Sequence, residues 1–411
     1  MDVHKRDVKV CLVWRDAQGQ RHQEVRTYRT MTGERLRMRD GLQDQGCSVA
    51  AMASRGVYWK PIFNLLEGDF EVMLVNPAHF KPVAGRKTDV KDCQWLAEWL
   101  EHGLLKGRFM APAAIRDLRD LTRYRRKLVQ ARAQEVNRLQ TVLEAANINL
   151  AAVATDVMGV SGRAILNHLV AGQHDPPALA EWSRGRIRRK QAEWAAALER
   201  RFRPHQARLL ARILAHIEFL DESIAELEEE MEELCRPFEQ EIARLDTIPG
   251  VDQRAAQDVV AEVGVDMSHF PSHKHLCSWT GISPGNNESA GNRNRGRTTK
   301  GNQWLKAILI DCGHAAGRSQ GTYLGAQYRR FAARNGKKRA AVVVGHSILE
   351  AASFILRDQA PYRELGADYL DQLNKDRLIR YHVRRLESLG LKVDIQNLAS
   401  AASSMPGGVI F

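Results

Sequence analysis

Leu210, Ile213, Ile217, Leu220, Ile224, Leu227, Met231 and Leu234 recur at alternating three- and four-residue steps. Only an α-helix turns such a series to one side, and a seam held over more than three heptads predicts a coiled coil through the middle of the chain. The helix opens arginine-rich and closes on the acidic run ELEEEMEEL. Two partners satisfy the seam equally: an earlier helix of the same chain, or the same helix of a second copy. An earlier helix is legible. From Pro112 the pattern turns helical, and Ile115, Leu118, Leu121 and Leu128 begin a long basic helix running to about Ala146. Residues 111–240 thus read as a helical, coiled-coil linker region.

The 110 residues ahead of it have a different period. Asp7 to Trp14 and His22 to Thr30 read as strands joined by the turn DAQGQ, a hairpin. Cys47 to Ser54 and Phe70 to Asn76 are short apolar runs separated by a helical stretch from Val57 to Leu66. Short apolar strands alternating with helices predict parallel pairing. A hairpin followed by β-α-β units is the element order of the RNase H/RuvC fold, with a first strand reduced to a stub beginning at Met1. The fold class expected is therefore α/β plus α.

Behind the seam, residues 241–358 read as a mostly helical third domain. It starts at LDTIPGV, continues with a helix from Arg254 to Val263 and HLCSWTGISP, and passes through a Gly/Asn/Arg/Ser-rich loop before helices resume at Gln303. Residues 359–411 are expected to form a tail, partly disordered from Gly390 onward.

A net charge of +12 points to a polyanionic partner, since each neutralised phosphate releases condensed counterions. A protein that merely carries surplus lysine and arginine is the alternative. The six cysteines form no C-x-x-C pair and read as small buried hydrophobes of a reducing compartment, with the cytoplasm the expected location. No uninterrupted apolar run approaches the roughly 20 residues of a membrane helix, and MDVHKRDVK lacks the apolar core of a signal peptide.

Three constellations can carry chemistry. Asp89 and Asp92 in KTDVKD lie three apart, so a helix projects both carboxylates from one face, and Asp2 sits on the stub strand. Clustered carboxylates hold Mg²⁺, which activates the attacking oxygen and stabilises the leaving one in phosphodiester transfer. The plain alternative makes Asp89 an N-cap and Asp92 a first-turn residue favoured by the helix dipole. Next, Pro249 and Gly250 in IPGV resemble the tight turn of a helix-hairpin-helix, which presents backbone N–H groups to phosphate. Finally, Pro284 to Lys306 places Ser289 and Asn287 among Arg293, Arg295, Arg297 and Lys300. A serine hydroxyl can attack a phosphodiester when cations neutralise the phosphoryl oxygens; the alternative is a solvated basic loop whose serine caps a turn. His4, His269, His273 and His275 show no metal-ligand spacing with cysteines, and Trp59, Trp95, Trp279 and Trp304 read as packing residues.

Together these segments resemble one family, the insertion-sequence transposases of the one-ten family. The matching motifs are DVHK at Asp2 to Lys5, GVYW at Gly56 to Trp59, RKTDVKD ending at Asp92, TIPGV, LCSWTGISPGNNESAG and KGNQWLK. The resemblance implies a RuvC-like domain of the Asp-Glu-Asp-Asp type and a C-terminal transposase domain with Ser289 as nucleophile. It implies that Asp2, Asp89 and Asp92 are three of four acids holding Mg²⁺. It further implies DNA as substrate (element ends and target), a homo-oligomer, and, as in several members, a structured guide RNA. The chain departs from the family in having Ala53 where the family places its glutamate, Arg55 in place of a small threonine, and Asn292 where lysine commonly follows Ser-Ala-Gly. With Ala53 the alternative is a non-catalytic, nucleic-acid-binding relic of such a transposase.

Overall fold

A computed structural model describes the backbone of residues 1–54, 56–75, 88–105, 107–154, 156–173, 175–180, 193, 196–198, 203–284, 288–289, 292–293 and 298–395, with the side chains of 54, 176, 180, 288, 289, 292 and 293 outside the description. The chain forms two compact units, Met1–Ala111 and Pro112–Phe411.

In the first unit, β1 (Asp2–Val3), β2 (Asp7–Arg15), β3 (Arg21–Arg29), β4 (Val49–Ser54) and β5 (Glu71–Val75) make one sheet in the order β3-β2-β1-β4-β5. β1 pairs antiparallel with β2 and parallel with β4, so the two-residue β1 joins the hairpin half to the parallel half. The expected hairpin is present. Its turn is fastened by the Asp16 carboxylate, which accepts from the backbone N–H groups of Gln18 and Gln20 at 3.0 and 2.8 Å.

Alternation along the strands sends side chains to two faces. Val3, Val8, Val10, Leu12, Met52 and Leu74 pack against Met38 and Leu42 of α1 (Thr32–Asp44) and Ile62, Phe63 and Leu66 of α2 (Lys60–Leu66). On the opposite face Ala51, Ala53 and Val75 meet Leu96 and Leu100 of α3 (Asp89–Glu101). Val3 faces α1 and α2, so its neighbour Asp2 faces α3. That alternation positions the site below.

The second unit is helical apart from a small hairpin. It opens with α4 (Ala113–Ala145), followed by α5 (Leu150–Val153), α6 (Val160–Val170), α7 (Pro176–Ala180) and α8 (Pro204–Cys235). The seam helix α8 runs antiparallel along α4, as three cross-helix ion pairs show. Arg125 Nε donates to Glu228 at 2.8 Å, Arg132 pairs with Asp221, and His216 lies 3.4 Å from Glu135. Within the chain, the earlier helix α4 packs along the seam helix. The first half of the seam, Leu210 to Leu220, is buried with Leu139, Leu143, Ile165 and Leu169. Ile224 and Leu227 are only half-buried.

Further along are α9 (Glu239–Asp246), α10 (Gln253–Val263), α11 (His273–Thr280), β6 (Glu288–Ser289), β7 (Asn292–Arg293), α12 (Gln303–Ala316), α13 (Tyr323–Asn335) and α14 (Lys337–Asp358). By length and composition α14 is long and apolar enough to cross a membrane, although charged residues interrupt it. Its apolar residues Val344, Ile348, Leu349 and Leu356 are instead buried in the protein's own core. The expected tail contains two helices, α15 (Tyr369–Gln372) and α16 (Lys375–Glu387), both ahead of Gly390. Of the stretch expected to be disordered from Gly390, residues 396–411 lie outside the described ones.

Candidate functional site

In the first unit, the α3-facing side of β1 meets the N-terminus of α3. Thr88, rather than Asp89, caps this helix, its hydroxyl accepting from the Lys91 N–H at 3.3 Å. Asp89 and Asp92 therefore both lie in the first turn, where the unpaired N–H groups favour negative charge. Asp2 Oδ2 is 3.1 Å from His4 Nε2, and that nitrogen is 3.6 Å from Asp89 Oδ2. One ligand atom from each of Asp2, His4 and Asp89 falls within 4.8 Å of the others. His4 was read in the sequence as an ordinary histidine. Its second neighbour, Asp89, is distant in sequence, so spacing to cysteines gives no signal; the usable signal is its place two residues from Asp2, inside DVHK.

Asp2 is the most buried of the three, its side chain 15% exposed against 42% for His4 and 53% for Asp89. Burial pushes its carboxyl above the usual range, the charges of Asp89 and Asp92 push it further, and His4 opposes them. A carboxylate in that position gains from any added positive charge. Asp92 contributes its charge to this group but does not belong to the set of close ligand atoms. Ala53, the departure from the family pattern, is the direct register partner of Asp2 across the parallel pair. Its methyl therefore occupies the position from which a glutamate side chain would reach the same spot. Arg55 lies outside the described residues.

In the second unit, the Pro-Gly turn joins α9 to α10. Gly250 has φ +91°, and a Cβ there would lie 2.4 Å from the backbone nitrogen of Ala316 and 2.7 Å from the carbonyl oxygen of Cys312. Only glycine fits, because the turn is pressed against α12. Pro249 and Gly250 are half-exposed. Beside them a 460 Å³ cavity is lined by Arg125, Arg126, Asp252, Asp258 and Asp311, among others. Burial raises the Asp258 carboxyl to about 6 despite the opposing pull of Arg125 and Arg126.

The serine segment lies between α11 and α12. Pro284 bridges Thr298, Glu288 pairs with Arg293, and Ser289 pairs with Asn292. The side chains of Ser289, Asn292 and Arg293, and all of Asn287, Arg295 and Arg297, lie outside the described residues; Lys300 is exposed.

The start of α12, where this segment ends, is firmly held. Gly301 lies so close to Thr280 that a Cβ would meet its carbonyl carbon at 2.3 Å. Asn302 caps α12 with its Oδ1 and donates its Nδ2 to Glu262 at 2.7 Å. Glu262, only 1% exposed, also accepts two hydrogen bonds from Arg123 of α4, at 2.7 and 2.8 Å. Trp304, expected to be a plain packing residue, is half-buried with Arg123 and Lys127 over its ring at 5.5 and 5.3 Å. Sequence reading missed Glu262 and Arg123, since their pairing spans 139 residues.

Two family models match these same regions. One, described as a transposase of the DEDD type of IS110, covers residues 1–148, and the other, Transposase IS116/IS110/IS902 family, covers residues 242–329. The chain belongs to the IS110 transposase family. No curated protein matches it. In this IS110-family transposase, the first match takes in the whole sheet unit and α4, and the second runs from within α9 into α13. Residues 149–241 and 330–411 fall outside both matches.

Proposed function

We propose that this transposase cuts and rejoins DNA at the ends of an insertion sequence, through a covalent phosphoserine at Ser289 assisted by a divalent cation at the acidic site. The convergence of Asp2, His4 and Asp89 at the N-terminus of α3 carries this reading. Two carboxylates and an imidazole suit a divalent cation: the carboxylates alone serve Mg²⁺, and the imidazole also admits Mn²⁺. When bound, such an ion polarises a phosphoryl oxygen and stabilises developing negative charge. Asp2 and Asp89 would hold it, with His4 turning a ring nitrogen toward it and Asp92 adding negative charge nearby.

In the proposed step the Ser289 oxygen bonds to the phosphorus of a phosphodiester as the bond to one strand oxygen breaks. The serine proton ends on that leaving oxygen. Attack by a strand hydroxyl reverses the step and restores the serine. Arg293, Arg295, Arg297 and Lys300 supply positive charge along the same segment for the phosphates. Pro249, Gly250 and Asn287 are assigned to nucleic-acid contact, and a structured guide RNA and a homo-oligomer complete the reading. The domain limits we assign are 1–110, 111–240, 241–358 and 359–411, with α4 and α8 as the coiled-coil element and the Pro-Gly turn as the helix-hairpin-helix element.

Incubating the full chain with Mg²⁺ and duplexes bearing element ends, followed by denaturing electrophoresis, tests this. The expected result is a protein–DNA adduct that Ser289→Ala abolishes. An adduct that survives Ser289→Ala rules out the serine. A second reading has its own observation. Ala53 beside Asp2 removes one carboxylate from the site, which favours a relic that binds element ends without cutting. Steeply salt-dependent binding with no Mg²⁺-dependent breakage selects that reading.

A further inference from the structure

The second unit carries an arginine face that neither family match includes. Lys375–Glu387, α16, holds five Lys/Arg against two Asp/Glu, and none of its residues is buried. Arg377, Arg380, Arg384 and Arg385, with Tyr381 and Ser388, line a 540 Å³ recess along one side of the helix. Spacings of three and four residues bring these side chains to a common face. Among the described residues, none of the four guanidinium groups has a carboxylate partner; Arg380 donates only to the carbonyl of Asp376 in its own helix. The arginines of α4 behave differently. Arg123, Arg125, Arg126, Arg132 and Arg138 are each tied to an Asp or Glu of the protein. Charge that the fold neutralises on α4 is left free here.

We propose that α16 is a phosphate-contacting element that docks its arginine face on the backbone of duplex DNA. Guanidinium groups bind phosphate through paired N–H donors, and a tyrosine hydroxyl adds a further donor of the kind that positions proteins on DNA. From Arg377 to Arg384 the helix rises about 10 Å, the axial rise of roughly three base pairs. The two acids sit at the ends of the helix, at Asp376 and Glu387, clear of the middle of the row. A helix that lies in a lipid surface presents an apolar face rich in Trp, Phe or Leu. Lys375–Glu387 contains no Trp or Phe, its apolar Leu378, Ile379 and Val383 are half-buried, and Leu386 is its one exposed aliphatic side chain. The inference rests on DNA as substrate but not on Ser289 or the metal site.

The test compares the full chain with a variant carrying R377Q, R380Q, R384Q and R385Q, by fluorescence anisotropy on a random-sequence duplex over a salt series. Each lost phosphate contact lowers the slope of log Kobs against log salt by about 0.9. The expected outcome is a slope reduced by about 2 to 4 and at least tenfold weaker binding at low salt, with an unchanged circular dichroism spectrum. The four-fold Arg→Lys variant should keep the slope. An unchanged slope in the glutamine variant overturns the proposal, as does loss confined to single-stranded RNA or to phosphatidylserine vesicles. Absence of duplex binding by the unmodified chain overturns it too and strikes at the DNA-acting reading, whereas loss of the Ser289 adduct alone leaves it standing.

Discussion

Asp2 and Ala53 are register partners across the parallel pairing of β1 and β4. Their side chains leave the same face of the sheet toward α3, one carrying a carboxylate and the other a methyl. Ala53→Glu therefore adds a carboxylate beside Asp2 without moving the backbone. Titration calorimetry with Mn²⁺ should show affinity rising by about tenfold or more, in line with the effect of gaining or losing a partner at a metal site. Equal Mg²⁺-dependent cutting by the two forms would show that the site manages without the acid.

His4 touches both acids of the cluster, at 3.1 and 3.6 Å. Removing its imidazole takes away the one nitrogen donor of the close set. His4→Ala should weaken Mn²⁺ binding more than Mg²⁺ binding, because imidazole suits the transition metal better. Competition between the two ions, followed by the electron spin resonance signal of free Mn²⁺, reads that difference directly.

Glu262 is the hub that joins α4, α10 and the start of α12. Glu262→Ala leaves the Arg123 guanidinium without its carboxylate and Asn302 without its acceptor. The expected loss of stability is about 3 kcal/mol, at the lower end for a broken pair because Arg123 keeps some contact with water. Urea unfolding followed at the tryptophans measures it. The companion Glu262→Gln, which can still accept from Asn302, should lose less.

Gly250 tests the turn. With φ +91° and backbone atoms of α12 within 3 Å of any added Cβ, Gly250→Ala is strained twice over. The backbone conformation alone costs about 1–3 kcal/mol, and the clash adds to it. Chemical denaturation should show a lowered midpoint.

Asp258 provides a pH dependence of definite sign. Its carboxyl titrates at about 6 in the fold and near its ordinary 3.8 in the unfolded chain. Between those values the native state holds the extra proton, so the stability tied to this group is full below about 4 and is lost as pH rises through 6. Asp258→Asn stays neutral throughout. It should melt at a higher temperature than the parent at pH 8, with the gap closing as pH falls toward 4.

Much of the fold was written in local patterns. The strand pair around DAQGQ, the helices at 113–145 and 204–235 and the placement of Asp89 and Asp92 on one helix follow from periods of two and 3.6. What escaped depends on distance along the chain or on patterns only a few turns long. His4 meets Asp89 only because β1 and the start of α3 are brought together by a sheet. Glu262 finds Arg123 only once α10 packs on α4. In α16, Leu378, Ile379, Val383 and Leu386 recur at helical spacing opposite the arginine row, a stripe only three turns long inside a segment expected to be tail. Seam packing was legible, but its partner was not, since a heptad pattern specifies a face and not what covers it.

The antiparallel pairing of α4 and α8 has a metric consequence. At 1.5 Å per residue, the 33 residues of α4 make a rod of about 50 Å. The Glu262 hub grips one end through Arg123, and Leu139, Val142 and Leu143 anchor the other in a separate apolar cluster. Adding or removing a heptad in both helices would shift those ends by about 10 Å, or about three base-pair steps, while leaving every local contact of the same type. The length of this hairpin thus sets the distance between its two anchored ends.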